Sequence, residues 1–240
     1  MTVENLFVKV RRGEAMLEVD ALSCVEGLGI DDDIHANRLS PRQILVTLQS
    51  ELNALSLAPG VLFENMVISM VDLRDFRPGT AIVTEGGVEI ELTMFCEPCK
   101  RILPIVGDLR PMLNRRGILG RIVRGGKIHA GDALSVIPGK YAALAESPQQ
   151  KFRDFVTTIP RGKVVRYLDV TIAMGVDASF RRALPGYIRR NAAEQLPLHR
   201  IVDARGRLLD VVVGQREKLI AEGVRVAAGS VDLKSCLWQG

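Results

Sequence analysis

Two stretches of this chain hold residue types that could do chemistry. The first runs over residues 180–202, FRRALPGYIRRNAAEQLPLHRIV. It reads as a basic helix carrying Arg181, Arg182, Arg189 and Arg190, ending at Asn191. A Pro197-Leu198-His199-Arg200 corner follows, and then an apolar strand start. Cations beside a corner that carries one imidazole, His199, suit a protein that grips a nucleic-acid backbone and inspects one extruded base. The second stretch is Cys96-Glu97-Pro98-Cys99. A Cys-x-x-Cys pair can be a redox dithiol, half of a zinc site, or two small buried hydrophobes. No second pair accompanies it, so a four-cysteine zinc site is not expected and no metal site is assigned. A single reactive thiolate and a buried, inert pair both remain open.

The elements that must position these residues follow from composition and pattern. The chain has 240 residues, 47% of them hydrophobic and 25% charged, which is the balance of a soluble globular protein of one large or two ordinary domains. No apolar run reaches membrane-spanning length. The N-terminus lacks a signal pattern, so a cytoplasmic protein with no membrane partner is expected. Four scattered cysteines do not make a disulfide framework. The net charge of +4 is unevenly divided: residues 151–240 carry 16 Lys and Arg against 9 Asp and Glu, while residues 1–150 carry 16 against 19. That asymmetry points the second part, not the first, at a polyanion.

Along the first part, residues 2–10 and 15–19 read as a hairpin, and 67–71, 81–84 and 88–95 as strands. Ser40-Pro41 reads as the N-cap and first residue of a helix running to about Leu55. Residues 120–123 and 128–130 read as a second hairpin around Arg124-Gly125-Gly126-Lys127, and 133–136 as a last strand. Many short strands with Gly and Pro turns imply a mostly-β, barrel-like domain. Residues 138–150 read as a connector. After it, helices are expected over 152–158, over 167–174, and from Asp177 or Ser179 to Asn191. A hairpin is expected between 201–202 and 208–213, and a final helix over 215–222. Two short helices before a basic one make a helix-turn-helix arrangement. The expected organisation is a β domain over 1–140, a linker over 141–150, and an α-rich winged helix-turn-helix domain over 151–240.

Five pieces of the first part, GLGIDDDIHA, SPRQILV, LAPGVLFENMVI, FCEPC and RRGILGRIVRGGKIHAGD, occur in an order that resembles the MOSC domain family over roughly residues 1–138. This is the module found at the C-terminus of molybdenum cofactor sulfurases. The resemblance implies a β-barrel that carries or transfers sulfur on one cysteine, which corresponds to Cys99; Cys96 is an addition. It implies that His35, Arg42, Asn65 and Arg101 line the site, with Arg42, Asn65 and Arg101 supplying cationic and amide donors around the thiolate; from the residues alone, His35 reads equally as a satisfied loop histidine. The family's Gly-Asp-x-His piece stands here as Asp32 to His35, with Asp in the Gly position. A persulfide on Cys99 is the cofactor-like species this implies. Molybdenum cofactor or pyridoxal phosphate binding would follow from resemblance alone.

The second part, through FVTTIPRGKVVRYLDV, RALPGYIRRN, PLHRIV and EKLIAEGV, resembles the O6-alkylguanine-DNA alkyltransferase family. In that family the corner reads Pro-Cys-His-Arg, and its cysteine takes the alkyl group. Here the position is Leu198, which has no lone pair, so alkyl transfer by that route is chemically excluded. The departure resembles the alkyltransferase-like proteins, which bind alkylated DNA without repairing it. The resemblance implies that Arg182 fills the gap left by a flipped nucleotide. Tyr167 would help swing its phosphate, and Asn191 would close the recognition helix and support the corner. Arg189 and Arg190, with Arg161 and Lys163, would contact phosphates. Pro197, Leu198, His199, Arg200 and Glu222 would form the lesion pocket, with Glu222 pairing with His199. Pro185-Gly186 stands where the family carries Gly-Gly, and residues 191–197 are one residue short. The expected function is non-catalytic, base-flipping recognition of DNA damage, coupled to a sulfur-carrying domain in DNA repair. Its partners would be duplex DNA carrying O6-alkylguanine and a repair or sulfur-transfer protein. The alternative is an enzyme acting on a modified nucleobase or nucleotide through Cys99.

Overall fold

Short runs of Val, Ile and Leu between glycine and proline turns make the first part of the chain a β structure. A computed structural model describes residues 1–240 and divides them into two units, Met1–Leu144 and Ala145–Gly240. The first unit contains β1 (Thr2–Val8), β2 (Leu17–Val19), β3 (Ala21–Val25), β4 (Gly29–Ile30) and β5 (Ile44–Leu48). Then come α1 (Gln49–Ala54), β6 (Met66–Ser69), β7 (Ala81–Thr84), β8 (Glu89–Phe95) and α2 (Leu103–Val106). The unit ends with β9 (Ile118–Arg124), β10 (Gly126–His129) and β11 (Leu134–Ile137). Eight of the strands form one sheet in the order β11-β7-β8-β9-β5-β6-β1-β2, and β10-β3-β4 form a second. All pairings in the large sheet are antiparallel except β5 with β6.

The barrel expectation takes a looser form. The ladder order is open, but the single bridge Thr2↔Ala133 and the bond from Val3 N–H to Asp132 C=O at 3.0 Å tie β1 to the approach to β11. The core inside holds Val3, Leu6, Val46, Ile68, Ile82, Ile90, Leu92 and Ile122, all at or below 1% exposure. Each such side chain contributes about 1.5–3 kcal/mol on leaving water.

Two local expectations in this unit are corrected. Residues 41–55 are not one helix. Ile44-Leu45-Val46-Thr47-Leu48 is a strand buried at all five positions between β9 and β6, and only Gln49–Ala54 is helical. A continuous β-branched and aliphatic run suits a strand covered on both faces, and that burial outweighs the local Ser-Pro signal. The Ser40 hydroxyl instead accepts the Arg42 N–H at 3.0 Å. Nor do β9 and β10 form a hairpin. β10 pairs with β3, so the chain changes sheets at Gly125-Gly126. A side chain on Gly125 would sit 2.8 Å from the Cys24 carbonyl oxygen.

The second unit contains α3 (Pro148–Thr158), β12 (Val165–Arg166), α4 (Tyr167–Ala173), α5 (Leu184–Arg190), β13 (Ile201–Val202), α6 (Gln215–Ala221), β14 (Val226–Ala227), β15 (Ser230–Val231) and α7 (Leu233–Cys236). The Ser147 hydroxyl caps α3 by accepting the Gln150 N–H at 3.2 Å. Asp169 caps α4 by accepting the Arg166 N–H at 2.8 Å. Phe152, Val156, Val170, Leu184, Ile188 and Ile201 form the core between α3, α4 and α5.

Here too the pattern reading needs correction. The third helix comes in two pieces, a 3₁₀ segment over Ala178–Arg182 and then α5. Pro185 falls in the first turn of α5, where its missing N–H costs nothing. The expected hairpin after Val202 is absent. β13 runs parallel to β12, and the chain beyond Gly206 meets Ser230 through an isolated bridge at Arg207. No helix of either unit is long and apolar enough to cross a membrane.

Candidate functional site

The corner of the second unit is built around one carboxylate. Pro197 leads into a 3₁₀ turn, Leu198–Arg200, and β13 follows at once. The turn aims His199 and Arg200 at Glu222, the residue that closes α6. His199 Nε2 lies 2.8 Å from Glu222 Oε1. Arg200 donates to the same carboxylate through Nε at 3.0 Å and Nη2 at 2.6 Å, and through Nη1 to the Ile159 carbonyl at 2.6 Å. The Gly162 N–H supplies a further donor at 3.0 Å. The three side chains are only 10–15% exposed. Burial pushes the Glu222 carboxyl up. The bonds from Arg200, His199 and Gly162 outweigh it and hold the group down at about 2. Leu198 is buried at 6% exposure and belongs to the core with Ile188 and Val165. The position that would need a nucleophile is therefore filled by packed hydrocarbon.

Gln215 completes the corner and is not evident from motif reading. Its amide N–H groups go to the His199 and Ile201 carbonyls at 3.0 and 2.7 Å, and its oxygen accepts the Leu209 N–H at 2.6 Å. The one available signal is its place four residues before buried Leu219, on the apolar face of α6.

The other expected DNA-side residues lie on α4, the 3₁₀ segment, α5 and the loop between α3 and β12. Arg182, Arg189 and Arg190 are exposed. The Arg190 guanidinium packs over the Tyr187 ring at 4.5 Å. Tyr167 is half-buried at the start of α4, and burial raises its phenol. Arg161 is exposed and bonds the Ala221 carbonyl at 3.0 Å; Lys163 is partly buried. Asn191 is fully buried, but it does not brace the corner. Its amide donates to the Tyr187 carbonyl at 2.7 Å and accepts from Gln149 at 3.1 Å, so it ties the end of α5 to α3.

In the first unit, β8 ends just before Cys96, whose N–H bonds the Gly117 carbonyl at 2.9 Å. Cys96 is buried, and desolvation pushes its thiol up. Cys99, three residues on, is partly exposed. Burial raises its thiol, but the Arg101 N–H, Arg116 and the Ile102 N–H outweigh that and pull it below the ordinary value. The two cysteines of the pair thus sit in different surroundings, one buried in the core and the other partly exposed beside Arg116.

The donor to Cys99 is Arg116, a residue that motif reading does not single out. Its Nη1 lies 3.3 Å from Cys99 Sγ. The signal was the charged pair Arg115-Arg116 set directly before the buried strand β9. Gly117 makes the placement possible: its φ is +105°, and a side chain there would lie 2.5 Å from Thr47 Oγ1 and overlap the Val46 carbonyl oxygen. Arg101 contributes its backbone, while its side chain is exposed. Arg42 is exposed and near enough to Cys96 to oppose the rise of that thiol. Asn65, an expected donor, and His35 meet instead on the buried Asp33 carboxylate, where His35 is a satisfied loop histidine. His35 Nδ1 is 2.8 Å from Oδ1, and Asn65 Nδ2 is 2.9 Å from Oδ2. Asn65 also accepts the Leu45 N–H at 3.0 Å, so its amide is committed to the sheet. No three His, Cys, Asp or Glu side chains gather as a metal site anywhere in the structure.

Comparison with known proteins agrees with this division. Residues 37–135 match the family model of the MOSC domain. Residues 147–224 match that of the 6-O-methylguanine DNA methyltransferase DNA-binding domain. No curated protein matches the chain. Among solved structures, the YuaD protein from Bacillus subtilis is similar at 23% identity, over 57% of this chain and 97% of that one, with a TM-score of 0.50, a likeness of fold. Atl1 of S. pombe, solved with damaged DNA containing O6-carboxymethylguanine, is similar at 23% identity over 40% of this chain and 99% of that one, with a TM-score of 0.37. YiiM from Escherichia coli is similar at 16% identity over 78% of this chain and 92% of that one, with a TM-score of 0.43. The chain thus carries a region that matches the MOSC domain, over residues 37–135, followed by one that matches the 6-O-methylguanine DNA methyltransferase DNA-binding domain, over 147–224, with Leu198 lying within the second match.

Proposed function

We propose that the second unit recognises alkylated bases in duplex DNA without repairing them, and that the first unit carries sulfur on Cys99. The observation that carries the reading is the corner. His199, Arg200 and Glu222 hold the frame of an alkyl-accepting site, while Leu198, 6% exposed, offers no electron pair to a carbon electrophile. Exposed Arg182 fills the space of an everted nucleotide, Tyr167 helps turn its phosphate, and Arg189 and Arg190 hold the backbone. About four phosphate contacts give a slope of log affinity against log salt of roughly −3 to −4. Fluorescence-anisotropy titrations at two salt concentrations, with an O6-methylguanine duplex and its unmodified twin, test this. The reading predicts that slope together with tighter binding to the alkylated duplex. Equal affinity for the two duplexes would sink it.

On the sulfur side, the Cys99 thiolate attacks the outer sulfur of a persulfide donor. The donor's S–S bond breaks, a new S–S bond forms on Cys99, and the donor leaves as its thiolate; no oxidant is consumed. A second reading has Cys99 acting on a modified nucleobase delivered by the DNA-binding unit. The partial exposure and lowered titration of Cys99 favour it as much as they favour sulfur carriage.

A further inference from the structure

Arg116 is 6% exposed, yet it makes no ion pair with any carboxylate. A guanidinium is never deprotonated, and a buried charge requires an opposite charge close by. Its hydrogen bonds go to the Glu97 carbonyl at 2.9 Å, the Leu62 carbonyl at 3.3 Å and Cys99 Sγ at 3.3 Å, and its Nε has no partner. Two of the three acceptors are neutral. The one carboxylate behind it is Glu64, which is fully buried. One Glu64 oxygen accepts the Gly60 N–H at 2.7 Å, and the other is buried without a partner. Burial pushes that carboxyl up in spite of bonds from backbone N–H groups and the pull of Arg116. Glu64 makes no ion pair with Arg116, its bonded oxygen being taken by Gly60, and the Cys99 sulfur is the group in hydrogen-bond contact with the guanidinium that can become an anion.

We propose that Arg116 is the positioning residue of the sulfur site: its guanidinium takes the Cys99 thiolate as its counter-ion and holds the sulfur fixed for attack on a sulfane sulfur. The nucleophile is then a resident thiolate, and Glu64 stays outside the charge pairing. Of the neighbouring groups, Cys96 is held neutral by burial, Arg42 adds positive charge on the Cys96 side, and Glu97 is exposed and meets Arg116 through its backbone carbonyl. The sulfane acceptor rests on the sulfur-carrier reading above. The charge pairing does not.

The test is the pH dependence of Cys99 alkylation by iodoacetamide on the full chain, read by peptide mass spectrometry so that the three buried cysteines do not enter. Arg116→Met is expected to slow alkylation at pH 7 about tenfold and to move the midpoint of the profile upward. Arg116→Lys, which keeps the charge and loses the fork, falls between. Glu64→Gln keeps the acceptor for Gly60 and should leave the midpoint where it is. An unmoved midpoint in folded Arg116→Met overturns the proposal. So does a downward move in Glu64→Gln, because Glu64 would then have been the counter-ion, and this second variant decides the matter if the first does not fold. Loading with glutathione persulfide separates the two readings. A low-pH thiolate that takes up no sulfane sulfur keeps Arg116 in its role and removes the sulfur-carrier function.

Discussion

Glu222→Ala is expected to destabilise the second unit by about 3 kcal/mol, the usual scale for removing one partner of a buried ion pair. The carboxylate answers four donors from three residues: Arg200 twice, His199, and the Gly162 N–H. Without it, Arg200 and His199 face a low-dielectric corner with no anion. Glu222→Gln keeps the shape and loses the charge, and should cost less. The same group sets a pH dependence. Its folded-state value, about 2, lies below the ordinary 4.5. The stabilisation is therefore complete above pH 4.5 and drains away as the pH falls from there through about 2. Thermal melts of wild type and Glu222→Gln between pH 6 and pH 3 check the sign. Wild type should lose stability on acidification more steeply than the variant, whose position 222 does not titrate. Parallel curves would show that Glu222 is not held down by its partners.

The second large effect is on binding. Arg182→Ala should weaken affinity for an O6-methylguanine duplex about tenfold or more while leaving the melting temperature unchanged. Arg182 lies exposed at the end of the 3₁₀ segment, with no side-chain hydrogen bond or ion pair to lose. Its work, on this account, is done only when a base has left the stack, where filling the gap offsets part of an unstacking cost of a few kcal/mol. Arg189→Ala, a phosphate contact, should instead weaken binding to alkylated and unmodified duplexes alike and flatten the salt slope by about one. Discrimination lost at Arg182 and kept at Arg189 would separate the gap-filler from the backbone clamp. A stability loss in Arg182→Ala, or full affinity, would contradict the assignment.

What the sequence made legible follows the range of the interactions involved. Strand β7 matches its expected span, Ala81–Thr84, because pattern and turn residues act locally. The His199–Glu222 pair was legible from the alkyltransferase motif, although 23 residues separate the two in the chain. The helix expected from Ser40-Pro41 failed because a cap is a local preference, whereas β5 lies between two strands and is buried at every position. The third helix broke at Ala183 because Pro185 favours a new start over continuation. Of the partly exposed thiol and its surroundings, Cys99 itself was visible from its motif. Its partner was not, since Arg116 earns its place only through burial beside a thiol 17 residues away. Asn65 was expected at that thiol and instead joins His35 in the Asp33 network, which braces the 31–35 loop against β1 and β5 through Lys9, Phe7 and Leu45.

On the proposed reading, the second unit reads damage it cannot remove. Intact-mass measurement of the full chain after incubation with a stoichiometric O6-methylguanine duplex, with the recovered oligonucleotide digested to nucleosides, tests it most directly. The account predicts an unchanged protein mass and every O6-methylguanine still methylated, under conditions where anisotropy shows the duplex bound. A methyl group found on the polypeptide, or guanine restored in the duplex, would contradict it.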